Sequence, residues 1–327
     1  MCDNPLASKQ ASKQASKQAD SSAIGRYNTT VYKGAAILSV MLCHFMGRFG
    51  HGITWFTPLG GIGVAVFLVL SGYGLTVSWE KTGHKAWWRK RLISTFLPYF
   101  LIQIVAYWPF HGFSVQGFLL DITLISTRYS NGWYLTYLLM WYIAFYLVMR
   151  FRVIRKFMFP IFAVLSLVSF FAFAKTFPLR AEQSFSFFAG VLFAKLNQEK
   201  ISKIFRLRYG ILSLFAGITF LGIKQLPLIR NAGEYIYNLV ELFIKLPCAI
   251  GLMIVLYCLL KHVHLRAIYW VGIMSYELYI VHGYVLEQVP VTWLGGLLFV
   301  VITAVASILI WLLFDKTKKY QKRLLML

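Results

Sequence analysis

The sequence predicts an all-α, polytopic membrane protein of about ten transmembrane helices with both termini in the cytoplasm. Three observations carry this. The chain of 327 residues is 59% hydrophobic and 13% charged, with mean hydropathy +0.65, whereas soluble domains carry roughly 25% charged residues. The apolar residues fall in long runs, not in the two-residue alternation of an outer-membrane barrel. Lysines and arginines alternate between rich and poor connections along the chain.

Residues 1–30 are polar and hold no apolar core of the signal-peptide kind. They are expected to form a disordered cytoplasmic tail in which Ala-Ser-Lys-Gln occurs three times, over residues 7–18. The codons GCA-AGC-AAG-CAA spell Ala-Ser-Lys-Gln and are also GCAA repeated three times. A tetranucleotide tract of this kind changes reading frame when replication slips by one unit, so phase-variable expression is expected. The alternative is an inert linker.

Beyond residue 30 the apolar segments are 31–48, 58–79, 92–110, 132–150, 157–174, 183–196, 209–224, 236–260, 269–288 and 293–314. They make up a membrane domain over residues 31–315, followed by a basic cytoplasmic tail, 316–327. Of the 33 Lys and Arg residues, 25 lie on one set of connections and six on the alternate set, with Lys33 and Lys245 inside segments. That asymmetry is the positive-inside bias of an even number of crossings. It also accounts for the net charge of +22 without a nucleic-acid partner. The cysteines Cys2, Cys43, Cys248 and Cys258 show no metal-type spacing, and the last three read as small residues of an apolar interior.

Ionisable residues inside lipid-spanning segments are costly and point to function. Lys33 and His44 lie eleven residues apart in the first segment, close to three helical turns. They therefore share a face, about 16 Å apart along the axis. Lys33 alone reads as a snorkelling anchor and His44 alone as an interhelical hydrogen-bonding residue. Together they suggest a path, with a cation at the cytoplasmic mouth for phosphate and an imidazole deeper in. The ninth segment carries His282 at roughly the depth of His44, and the eighth carries Glu241, which forms an i, i+4 pair with Lys245. A polar layer of His44, His282 and Glu241 is thus expected, beside the plainer reading of Glu241–Lys245 as a neutralising pair. The small residues around Ser71-Gly72-Tyr73-Gly74 suit close helix packing. Arg89-Lys90-Arg91 reads either as a topology-setting cluster or as a binder of cofactor phosphates. Trp133-Tyr134 fits an interfacial aromatic belt.

These pieces, in this order, resemble acyltransferase family 3, the integral-membrane acyltransferases that modify bacterial envelope glycans. The likeness rests on Lys33-Gly34 with His44, the run Phe67-Leu68-Val69-Leu70-Ser71-Gly72-Tyr73, the basic run before Pro98-Tyr99, Trp133-Tyr134-Leu135, and Ser275-Tyr276 with Tyr279 and His282. It covers about residues 26–315 and, with the repeat-bearing tail, is closest to phase-variable lipopolysaccharide O-acetyltransferases. The resemblance implies an enzyme of the bacterial inner membrane. Acetyl-CoA would serve as a cytosolic donor substrate and an envelope glycan as acceptor, with no permanently bound cofactor and no metal. It places the essential histidine at His44 and donor-binding cations at Lys33, Arg89 and Arg91. Thr30, Ala65, Ser94 and Thr95 stand where the family often has acidic or arginine residues. Some members carry a further C-terminal hydrolase-like domain; here acceptor chemistry is expected within the membrane domain or with a separate partner.

Histidine suits the chemistry, because a sugar hydroxyl needs a base as it attacks a thioester. His44 is expected to act as that base or to carry the acetyl group, with His282 or Glu241 orienting it. A transporter of an acylated metabolite or glycan precursor is the alternative, although no internal repeat of the transporter kind is evident. A scaffold for envelope assembly is a third reading, and it leaves the Lys33–His44 register unexplained. The acceptor sugar and the oligomeric state are not specified by the sequence.

Overall fold

The computed structural model describes residues 22–53, 55–84, 87–112, 114–125 and 132–326, with side chains at 110–111 and 316–326 left aside. The Ala-Ser-Lys-Gln repeats, Lys85 and Arg128 lie outside these residues. Among the described residues every regular element is helical. The apolar segments correspond to α1 (Arg26–Phe49), α2 (Thr57–Thr82), α3 (Leu97–His111), α4 (Trp133–Arg150), α5 (Met158–Phe173), α6 (Ser186–Lys195), α7 (Leu207–Ile223), α8 (Glu234–Leu260), α9 (Ser275–Gln288) and α10 (Trp293–Met326). Among the described residues, five helices are long and apolar enough to cross a bilayer, or six when Gln198–Ile204 and Leu207–Ile223, bent by 59°, count as one, against the ten crossings expected.

Four segments depart from simple rods, each for a local reason. The third begins as a short helix, Trp87–Arg91, and passes through a π-helical stretch, Leu92–Phe96, before α3. Pro98 has no N–H to donate to Ser94, and its ring crowds that carbonyl, so the ladder widens just before it. The sixth segment is helical only as α6, and turns separate it from a short helix just before the segment, Pro178–Ala181. At ten residues, α6 spans about 15 Å, half a bilayer core. The ninth is two helices, Arg266–Ile273 and α9, meeting at Met274. The tenth continues as helix through the basic segment that the sequence assigned to a tail.

Close backbone approach at glycine fixes the pairing of helices. A Cβ on Gly190 would stand 1.9 Å from the Val69 carbonyl oxygen, and one on Gly72 would stand 2.1 Å from that of Phe187. The small residues of α2 thus serve packing, here against α6. Gly272 and Gly34 join Arg266–Ile273 to α1 in the same way, with a Cβ at Gly272 falling 1.9 Å from the Thr30 carbonyl oxygen. Cys248 is buried at the α7–α8 contact, where it occupies the space beside Gly217. The interior is aromatic: Trp87 stacks on Phe145 at 6.0 Å and Trp141 on Phe187 at 5.1 Å between centroids. These contacts join α4 to α6, which packs on α2, and α2 in turn packs along α1.

Candidate active site

The site is built on α1. Three turns separate Lys33 from His44, and each opens into a different cavity. The His44 ring lies 5.3 Å from the His282 ring, at 49°, so the equal depth expected for the two histidines is realised as contact. His282 is fully buried. Its Nδ1 donates to the Leu278 carbonyl oxygen at 2.9 Å. In the neutral ring this makes Nε2 the acceptor nitrogen. One turn earlier on α9, Tyr279 lies 5.7 Å from His282 and 5.2 Å from Tyr134 on α4. His282 is therefore backed by Tyr279, and Tyr279 in turn by Tyr134.

His44 lines a cavity of about 320 Å³ together with Cys43, Trp133, Tyr279 and a group of charged side chains. Here Cys43 departs from its expected place in the apolar interior: it is half-buried at the cavity wall and donates to the Thr57 carbonyl oxygen at 3.3 Å. The charged group is a chain of four. Lys224 pairs with Glu241, Glu241 lies 3.2 Å from Lys245, and Lys245 pairs with Glu182. The i, i+4 pair foreseen on α8 is present. Glu241 shares the cavity with His44, but its ion-pair partners are Lys224 and Lys245, so the arrangement gives it no direct hold on the imidazole. The unwound stretch before α6 is what admits Glu182. Next to it, Gln183 donates to the Gly61 carbonyl oxygen at 2.9 Å and accepts from Ser186 at 3.1 Å. The backbone of this stretch is satisfied by turn bonds, Gln183 N–H to Arg180, Ser184 N–H to Ala181 and Ser186 N–H to Gln183.

Lys33 is exposed along a second cavity, of about 300 Å³, where Arg91, Ser71, Ser94, Thr95 and Tyr142 also line the wall. The π-helical stretch presents Ser94 and Thr95 here. Arg91 lies over the Trp87 ring at 5.5 Å, which aims its guanidinium along the wall. Arg89, grouped with Arg91 in the sequence, is not among the lining residues. Two positions along a helix are about 200° apart, so the pair points to opposite sides. Tyr276 donates to the Thr95 carbonyl oxygen. Helix α9 therefore touches the Lys33 cavity near its start and His44 two turns on.

The continuous path expected along α1 is divided. Phe67 lines the Lys33 cavity, Tyr279 lines the His44 cavity, and both pack on Tyr134, at 6.3 and 5.2 Å between centroids. Glu182, Gln183 and Lys224 were not singled out in the sequence. Glu182 had a signal: it is one of only 11 acidic residues, and it follows Pro178 in the connection between two apolar segments.

A histidine pair at the wall of an ion-lined cavity, with a basic, hydroxyl-rich cavity farther along α1, is an arrangement suited to group transfer in a membrane-embedded enzyme. The family model described as an acyltransferase domain matches residues 30–316. The chain belongs to that family, acyltransferase family 3, and is a membrane acyltransferase. No curated protein and no solved structure gave a match.

Proposed function

We propose that the protein is an O-acetyltransferase of the bacterial inner membrane, crossing it ten times with both termini in the cytoplasm. It moves the acetyl group of cytosolic acetyl-CoA to a hydroxyl of an envelope glycan such as lipopolysaccharide. The observation that carries this is the place of His44, in the wall of one cavity and one helix face from the cations of another. The charge bias along the chain supports setting the Lys33 cavity on the cytoplasmic side.

Lys33 and Arg91 hold the donor's phosphates as charge-assisted hydrogen-bond donors, with Ser94 and Thr95 adding neutral ones. The pantetheine arm runs along α1 when the Phe67 and Tyr134 rings, which divide the two cavities here, turn aside. His44 removes the proton of the acceptor hydroxyl as its oxygen attacks the thioester carbonyl. The tetrahedral intermediate collapses with loss of the coenzyme thiolate, which takes up a proton, and the sugar ester remains. His282 and Tyr279 fix the position of the imidazole. Transient carriage of the acetyl group by His44 satisfies the same geometry.

Two tests follow. Lys33→Ala and Arg91→Ala each weaken acetyl-CoA binding about tenfold, the loss of one hydrogen bond to a charged group. Arg89→Ala, outside the cavity, leaves it near the wild-type value. Calorimetric titration of the purified protein checks this; equal losses at all three positions would return Arg89 to the site. For the function as a whole, envelope glycans are compared by mass spectrometry with the gene in frame and out of frame. The acetyl ester should be present only in the first. Sequencing the same clones should show a GCAA tract beneath residues 7–18, whose length sets the frame; unrelated codons in the three copies would remove the switching.

A further inference from the structure

The chain of charges in the His44 cavity has no part in the steps above, and stability alone does not explain it. Lys245 and Glu182 are each 7% exposed, Glu241 is 6% and Lys224 is 20%. Buried ion pairs of this kind give no more stability than apolar side chains of the same size. In a membrane domain they are costly. They do not fill the interior either, since all four line open space beside His44.

We infer that the Glu182–Lys245–Glu241–Lys224 chain is the acceptor subsite, and that it selects an uncharged pyranose over an anionic one. The assignment rests on the reading of this cavity as the acceptor side. Two carboxylates and two ammonium groups alternate, and no other lysine, arginine, aspartate or glutamate lines the cavity among the described residues. The subsite is thus balanced in charge while rich in hydrogen-bonding capacity. Carboxylate oxygens accept from sugar hydroxyls, and Glu182, which pairs with Lys245 through Oε2, lines the cavity. Ammonium groups donate to ring and hydroxyl oxygens. Trp133, in the same wall, supplies an apolar ring for the C–H face of a pyranose. An anionic sugar meets a different balance. Both lysines are already engaged with carboxylates, so its charge would enter a poorly solvated space without a surplus cation and near two like charges.

The test uses sugars that differ only at C6: methyl β-D-glucoside against methyl β-D-glucuronide, and methyl β-D-galactoside against methyl β-D-galacturonide. Binding to the full-length protein in nanodiscs is read by saturation-transfer NMR, with no donor present. The wild type should bind at least one neutral sugar about tenfold more tightly than its acidic counterpart. Glu241→Gln leaves one surplus positive charge and should shift that ratio toward the acid by about tenfold or more. Lys224→Gln/Glu241→Gln restores the balance and should restore the neutral preference. The inference is overturned by acidic sugars binding the wild type as well as neutral ones, by neither pair binding, or by a ratio that Glu241→Gln does not move. If Glu241→Gln does not fold, the wild-type comparison and the double variant decide. Acetyl-CoA binding is measured on the same preparations, so failure of the donor assignment is seen separately from failure of the acceptor subsite.

Discussion

His44→Ala is expected to lower acetyl transfer by about 10²–10⁴-fold, the usual contribution of a positioned general base, while the amount of folded protein in the membrane stays at the wild-type level. The ring is half-buried at a cavity wall and meets the His282 ring at a 49° tilt rather than filling the interior. Its removal enlarges an existing space instead of opening a new one in a packed core. A merely structural histidine makes a different forecast. His44→Gln would then restore function by keeping a hydrogen-bonding side chain, and the alanine variant would lose stability together with activity. For a base or acyl carrier, glutamine is as inactive as alanine. Initial rates with labelled acetyl-CoA, set beside thermal unfolding of each variant in the same detergent, separate the two cases.

The second large effect is on stability. Lys245→Met should destabilise the fold by about 3–5 kcal/mol, because removing one partner of a buried ion pair leaves an uncompensated charge. The geometry says which charge is orphaned. Glu241 keeps Lys224, whereas among the described residues Glu182 pairs through Lys245 alone. Lys245→Met/Glu182→Gln should therefore recover most of the loss, and Lys245→Met/Glu241→Gln much less. Chemical unfolding of the three variants measures this. Equal rescue by both second substitutions would show that the chain is not organised in the order described. The same segment is tight enough to register small changes: a Cβ at Gly61 would stand 2.4 Å from Cε of Lys245.

Much of this was legible in the residues. The apolar runs located every principal helix, since lipid leaves the backbone no other way to satisfy itself. Helical rise placed His44 level with His282, and the i, i+4 spacing placed Glu241 beside Lys245. What the sequence hid depends on contacts between distant segments. Glu182 meets Lys245 across 63 positions, and a run of 14 apolar and polar residues at 183–196 does not announce that its first part is unwound. Arg89 and Arg91 look equivalent as letters; the helix separates them, and Trp87 aims only the second. The Lys33–His44 register is also silent about what stands between them. Tyr134, read as part of an interfacial belt, packs between the two cavities. Pro98 was visible, but its consequence, a π-helical stretch carrying Ser94 and Thr95 into the Lys33 cavity, follows from how the ladder relaxes around it.

The central claim is that one enzyme joins a thioester on the cytoplasmic side to a hydroxyl on the other, through His44. Proteoliposomes with the protein in a single orientation test it most directly, with labelled acetyl-CoA confined to the face bearing Lys33 and Arg91 and the glycan acceptor confined to the opposite face. Labelled ester should appear on the acceptor with wild-type protein and not with His44→Ala. Ester formed only when donor and acceptor share a face, or formed equally by His44→Ala, would contradict the account.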